Sequence, residues 1–249
     1  MEVLAALASQ QDELSGLLAG RDEVEWQRPS PCESWTVADV VLHLAQTNEL
    51  SIASAQGRLP EVAKGMGGPE RSNTVDDSAA LMVAAERGAP VQALHDRWLE
   101  GVETLRSVLA AADPHQRVMW VAGELSIRTL ATTRLAETWI HTGDVATAFG
   151  VESVPTHRLQ HVARLAWRTL PYAFERAGRQ LHGPVAFKLR SPTGAAWEFV
   201  PDEAPLTVVE GDAVELCLVA ARRIDPTDTG LTATGPDADA VLDLVRTYA

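Results

Sequence analysis

Glu137 and His141 stand four residues apart in the segment Arg134-Leu135-Ala136-Glu137-Thr138-Trp139-Ile140-His141. In a helix that spacing puts a carboxylate and an imidazole on one face, one turn apart. Two such groups can grip one metal ion, and His43, far upstream on a separate predicted helix, would supply a third ligand. Two histidines and one carboxylate with an open position form the ligand set of catalytic zinc sites, where the vacancy takes water, a thiol or substrate. Helical bundles build such sites from facing helices. The spacing alone serves plainer ends as well. A Glu–His pair one turn apart is often a solvated helix contact, and a histidine among apolar residues is often a satisfied core residue.

The neighbours carry two readings each. Asp144, one turn past His141, suits orienting a ligand or a cofactor, and suits a surface acid equally well. Arg134, one turn before Glu137, suits a salt-bridge partner or a substrate anchor. His95, His115, His157, His161 and His182 are expected at the surface; His157 and His161 are four apart but fit no motif. The two cysteines, Cys32 and Cys217, are far apart. Their spacing speaks against a disulfide scaffold and a thiolate zinc site, and fits a reducing cytoplasm. Cys217, inside an apolar run, reads as a small buried hydrophobe. Trp26, Trp35, Trp98 and Trp139 read as core and corner packing.

The elements that must position these residues are mostly helical. Residues 2–20 have apolar positions at Val3, Leu4, Leu14, Leu17 and Leu18; with no basic n-region and with Gln10–Glu13 interrupting any apolar core, the stretch reads better as an amphipathic helix than as a signal peptide. A turn-rich stretch, Arg28–Ser34, leads to a helix whose start is marked by Thr36 as cap and Asp39 as capping-box acid. Val37, Val40, Val41 and Leu44 form its buried face. Residues 57–78 are rich in Gly, Pro and charge and are expected to form a long loop. Helices are expected over 89–111 and 126–149, the second ending at Gly150. In that last helix Leu135, Trp139, Ala146 and Phe149 mark a core stripe distinct from the Glu137–His141 face.

Beyond residue 150 the pattern changes. A helix near 156–178 precedes two short alternating runs, Val185–Leu189 and Ala196–Val200, separated by Ser191-Pro192-Thr193-Gly194, which is a hairpin signature. A strand at Leu206–Val209, a helix at Asp212–Ala221 and a last helix at Asp237–Tyr248 follow. The expected fold class is mainly α, with a four-helix bundle at 1–150 and a small α+β domain at 151–249.

A net charge of −13 gives no basic surface for nucleic acid, and no polybasic stretch serves an anionic membrane. Hydrophobic residues make up 46%, which a folded globular chain requires, yet no apolar run is long enough to span a bilayer. A cytoplasmic monomer or homodimer is expected. No G-x-S-x-G elbow, Walker loop or dinucleotide fingerprint occurs, so serine hydrolysis, nucleotide hydrolysis and hydride transfer have no support.

Two longer motifs add a resemblance. Trp26-x2-Pro29-Ser30-Pro31-Cys32-x2-Trp35-Thr36-Val37-x-Asp39-Val40-Val41-x-His43-Leu44 resembles the opening of the mycothiol-dependent maleylpyruvate isomerase family, in the DinB-like superfamily. Arg134-Leu135-x-Glu137-Thr138-Trp139-x-His141-x2-Asp144-Val145-Ala146-x-Ala148-x-Gly150 is similar to its second motif. The resemblance implies a DinB-like bundle in which His43, Glu137 and His141 bind a divalent metal. Zinc is the default, with nickel, iron or manganese open to the same ligands.

The tail Val209-x-Gly211-Asp212-Ala213-x-Glu215-Leu216, with Ala221-Arg222-Arg223, is similar to the family's small C-terminal domain. There an arginine that holds an anionic substrate corresponds to Arg223, with Arg222 adjacent. The glycine usual before it is missing, and Asp225-Pro226-x-Asp228-Thr229 is closer to a metal-binding subgroup. The function implied is an isomerase or S-transferase in which metal-bound mycothiol attacks a small electrophilic, anionic substrate. Arg223, Arg222 and Asp144 would act in catalysis, and Asp144 and Arg134 would meet the cofactor. Two rivals stand beside it: a thiol-independent metal-dependent hydrolase or Lewis-acid enzyme, and a metal- or small-molecule-binding protein without turnover.

Overall fold

A computed structural model describes residues 2–65, 75–121 and 123–247. The chain divides into two compact units, one spanning Glu2–Ser153 and one running from Val154 onward.

Four long helices form the first unit: α1 (Val3–Leu18), α3 (Val37–Ala55), α6 (Val91–Ala111) and α7 (Ile127–Phe149). Each of α1 and α3 packs against both α6 and α7, so the four close into a bundle. Shorter helices α2 (Glu23–Trp26), α4 (Leu59–Gly65) and α5 (Val75–Glu86) decorate it, and β1 (Arg117–Trp120) pairs antiparallel with β2 (Gly123–Ser126) just before α7. The sequence pattern gave no sign of this hairpin. The long loop expected at 57–78 is replaced at both ends by α4 and α5, because Leu59, Met82 and Val83 bury apolar surface despite the polar composition around them. Residues 66–74 of that stretch lie outside the described residues.

Local chemistry explains the helix ends. Thr36 Oγ1 accepts from the Asp39 amide at 3.3 Å while Asp39 Oδ2 accepts from the Thr36 amide at 2.9 Å, the reciprocal bonds of a capping box. At the far end of α7, Gly150 takes φ +68°, a left-handed conformation that glycine adopts without a Cβ penalty, and the helix stops there.

Two large apolar clusters fill the bundle, and a small one joins Leu50, Leu59 and Met82. One large cluster joins Leu14, Leu18 and Trp26 to Val37–Ala45, Leu94, Trp98, Val102 and Val145. The other joins Val3, Ala6 and Leu7 to Leu105, Leu109, Ile127, Leu130 and Leu135. Along α7, buried Glu137, Thr138, His141, Thr142 and Asp144 fall between Leu135 of one cluster and Val145 of the other. Helix α7 is therefore buried on nearly all sides. The separate core stripe expected for it is corrected: Trp139 and Phe149 are only half-buried, whereas the polar Glu137–His141 face points inward.

In the second unit, α8 (Leu159–Arg176) packs with α9 (Ala213–Ala220) beside a four-stranded sheet. The strand order is β4 (Ala196–Phe199), β3 (Val185–Arg190), β5 (Thr207–Asp212) and β6 (Thr232–Thr234). Strands β3 and β4 form the expected antiparallel hairpin, with Leu189 opposite Trp197, while β5 runs parallel to β3 and β6 closes the edge antiparallel. Trp167 on α8 donates its indole N–H to the Val185 carbonyl at 2.7 Å, tying helix to sheet. The last helix is shorter than expected. α10 covers only Val241–Leu244, because Asp237 is buried as an acceptor for the Thr207 hydroxyl, the His182 amide and His182 Nδ1 and does not begin a helix.

Candidate metal centre

His43 stands two turns into α3, beyond the capping box, and Glu137 and His141 stand one turn apart at the middle of α7. Packing of α3 against α7 brings all three together. One ligand atom from each lies within 4.8 Å of the other two, and the residues are only 7%, 9% and 6% exposed. His43 Nε2 is 3.2 Å from Glu137 Oε2, and His141 Nε2 is 3.8 Å from the same oxygen. The donor set suits a divalent cation, with two imidazole nitrogens and one carboxylate oxygen converging at a single point.

Electrostatics set the ionisation of these donors. Burial opposes a charge on His43 and pulls its pKa below the ordinary 6.5, against the raising influence of Glu137. A neutral imidazole is the ligating form. Burial pushes the Glu137 carboxyl up, but the hydrogen bond from His43 and the charges of His43, His141 and Arg134 outweigh it and hold the value at about 2. The carboxylate is therefore ionised at neutral pH. His43 Nδ1 is buried without a hydrogen-bond partner among the described residues, so the ring is held by packing and by its Nε2 contact with Glu137.

Arg134 lies one turn before Glu137 and is 1% exposed. Its guanidinium donates to Thr47 Oγ1 at 2.9 Å and Asn48 Oδ1 at 3.4 Å, one turn beyond His43 on α3, while its Nε has no partner among the described residues. Burial lowers its pKa, Glu137 offsets this in part, and a guanidinium stays protonated throughout. Arg134 is thus a buried positive charge close to Glu137 without a direct ion pair to it. Asp144, 2% exposed, lies 2.9 Å from His141 Nδ1, on the opposite side of the ring from Glu137.

Two residues given only packing roles, or none, also line the cluster. Trp35, in the turn before α3, packs against the core as expected and also sets its ring 5.2 Å from that of His43 and 6.4 Å from that of His141. Cys32, from the same turn, lies 3.2 Å from Asp144 Oδ2 and 3.9 Å from His141 Nδ1. Cys32, His141 and Asp144 make a second group that could hold a metal ion. The expectation against any thiolate site is corrected to that extent. It weighed only the distance between the two cysteines, whereas Cys32 meets its partners through the fold. The motif Pro31-Cys32-x2-Trp35 was the available signal.

Arg222 is exposed at φ +59° and donates to the Asp243 carbonyl, and half-buried Arg223 donates to the Ala221 carbonyl at 3.0 Å. Both belong to the second unit. His95 is not the surface residue expected; it is half-buried between Trp26 and Trp98, at ring distances of 5.6 and 6.2 Å. Cys217 is fully buried, which pushes its thiol pKa up, as a small core residue should show. Among the described residues no helix is long and apolar enough to cross a membrane.

Comparison with known proteins shows the family of the chain. The mycothiol maleylpyruvate isomerase N-terminal domain matches residues 7–146, a span that holds all three candidate ligands. Two Mycobacterium tuberculosis proteins, from strains CDC 1551 / Oshkosh and H37Rv and both described as uncharacterised, are 30% identical over 250 residues, covering 99% of this chain and 95% of theirs. Among solved structures, a mycothiol-dependent maleylpyruvate isomerase aligns with a TM-score of 0.63 at 18% identity, covering 93% of this chain and 91% of that one. A histidine-to-alanine mutant of such an isomerase gives 0.62 at 17%. At that identity the structural likeness establishes the shared fold. The domain match over more than half the chain establishes more: the protein belongs to the mycothiol maleylpyruvate isomerase N-terminal domain family.

Proposed function

We propose that this chain is a metal-dependent enzyme that uses a low-molecular-weight thiol, mycothiol, to isomerise or S-modify a small electrophilic substrate. The observation that carries this is the convergence of His43 Nε2, Glu137 Oε2 and His141 Nε2 at one buried point within the matched domain. His43, Glu137 and His141 would hold the cation, zinc by default. When bound, the cation supplies a positive centre that favours the anionic form of a thiol at neutral pH.

The surrounding residues support that chemistry. One anionic ligand, Glu137, leaves a divalent cation's charge only half neutralised, and the buried Arg134 charge adds to the positive field seen by an incoming anion. The Trp35 ring beside both imidazoles restricts water there. Asp144 accepts from His141 Nδ1 and fixes the ring that ligates through Nε2. Addition of the thiol sulfur to an electrophilic carbon, bond rotation and loss of the thiol gives isomerisation; retention of the sulfur gives S-transfer. Arg223, with Arg222 beside it, is assigned to a carboxylate on the substrate.

Metal content of protein purified without a polyhistidine tag tests the reading, with wild type set against His43→Ala and His141→Ala. About one equivalent in the wild type, lost in both variants, is expected. Thiol-dependent turnover of an electrophile panel with mycothiol is then the second measurement. Metal retained in both variants overturns the ligand assignment. Turnover that needs metal but ignores thiol transfers the function to a hydrolase or Lewis-acid enzyme.

A further inference from the structure

Cys32 lies outside the three-ligand set, yet its placement is closely determined. The turn that carries it is closed by paired bonds: the Ser30 amide donates to the Trp35 carbonyl at 2.9 Å, and the Trp35 amide donates to the Cys32 carbonyl at 3.0 Å. The Ser30 hydroxyl donates to the Trp35 carbonyl at 2.9 Å and accepts from the Cys32 amide at 3.2 Å. Ser34 adopts φ +63° to complete the turn, and Pro29 bridges to Thr36 at its base. A non-glycine residue in the left-handed region is uncommon, and here it goes with a fixed loop.

The result is a chain of contacts running from the turn into the metal centre. The Cys32 thiol donates to Asp144 Oδ2 at 3.2 Å, and the same oxygen lies 2.9 Å from His141 Nδ1. A carboxylate only accepts, so the proton on the second contact sits on His141 Nδ1. With that proton on Nδ1, Nε2 is the ring nitrogen left to ligate, and it faces Glu137 Oε2 at 3.8 Å. We propose that Cys32 is a positioning residue for the metal centre: its S–H anchors Asp144, and Asp144 thereby fixes the tautomer and orientation in which His141 offers Nε2. This rests on the metal-centre reading above and deepens it. His43 has no comparable partner at Nδ1, so the turn holding Cys32 orients one of the two histidines selectively. Serine, which keeps a donor of similar reach, should replace Cys32; alanine should not.

The test uses the full-length metal-free protein and Co(II) as probe, with wild type, Cys32→Ala and Cys32→Ser. Co(II) absorbance reports affinity and coordination, and 15N-edited NMR of the imidazole reports the His141 tautomer before any metal is added. Expected are the Nδ1–H tautomer in wild type, an affinity loss of about tenfold in Cys32→Ala, and recovery in Cys32→Ser. The His141 tautomer should become mixed in the alanine variant only. Unchanged affinity and tautomer in Cys32→Ala overturn the proposal. So does a serine variant as weak as alanine, which would make the effect one of volume. A sulfur-to-cobalt charge-transfer band in the wild type also overturns it, because Cys32 would then ligate the ion through the second group. A wild type that binds no Co(II) sinks the metal-centre reading instead. The tautomer comparison then decides alone, a shift on Cys32→Ala supporting the relay and no shift overturning it.

Discussion

At the scale of single residues the centre is an electrostatic balance that can be read by changing pH. Burial, only partly offset by Glu137, sets His43 below its ordinary 6.5 in the folded chain. The unfolded chain therefore takes up a proton at His43 as pH falls through 6.5, while the folded chain does not. Stability associated with His43 is complete above 6.5 and declines toward the lower folded value. Glu137 acts in a lower window: its folded value of about 2 lies under the ordinary 4.5, so its contribution is present above 4.5 and lost between 4.5 and 2. Urea unfolding of metal-free wild type and His43→Gln at pH 7 and 5.5 should show the wild type losing more stability than the variant. Equal losses would mean that the burial of His43 does not control its proton. Of these residues the sequence made His43, Glu137, His141 and Asp144 legible through spacing and motif. Trp35 and Cys32 stand in the motif, but the sequence assigns Trp35 only packing and Cys32 no role. Their positions depend on how a nonhelical turn folds against α7, and no periodicity encodes that.

At the scale of elements the clearest local signal in the sequence was Thr36 with Asp39, and the capping box forms with both reciprocal bonds. It stands between the turn bearing Cys32 and Trp35 and the helix bearing His43, so it fixes the direction in which both enter the centre. Asp39 is additionally held by Arg87 at 2.8 Å, so it stays in place when the threonine hydroxyl is removed. Thr36→Ala should cost about 1 kcal/mol, which for a chain of this size lowers the thermal midpoint by roughly 2–4 °C. An unchanged midpoint in calorimetry would show that the Asp39–Arg87 pair alone sets this helix end. Elements lacking such chemical markers were harder to foresee. The β1–β2 hairpin and β6 are three or four residues long, too short for a pattern, and α10 shrinks because Asp237 is drawn into a buried bond with Thr207 and His182. Helix α7 was legible in extent but not in burial. A polar face normally signals solvent, yet here it is turned into the bundle, and the cost of burying Glu137 and Arg134 is met by mutual charge and hydrogen bonds.

At the scale of the whole molecule, two units of different architecture carry the candidate residues. The candidate ligands, Asp144, Cys32, Trp35 and Arg134 all belong to the first unit, whereas Arg222 and Arg223 belong to the second. Three apolar clusters of the first unit are built from its own residues, so among the described residues these clusters draw nothing from beyond Ser153. A fragment ending at Ser153 should then fold with the helical signature of a bundle and bind Co(II) with an affinity close to that of the full chain. Its thiol-dependent turnover of an anionic electrophile should be lost, because Arg222 and Arg223 are removed. Circular dichroism, Co(II) titration and turnover measured on fragment and full chain separate these contributions. A folded fragment that binds metal but has no turnover assigns ligation to the bundle and substrate capture to the second unit. A folded fragment with full turnover removes any catalytic need for the two arginines. An unfolded fragment would mean that the second unit supplies stability the bundle's own clusters do not.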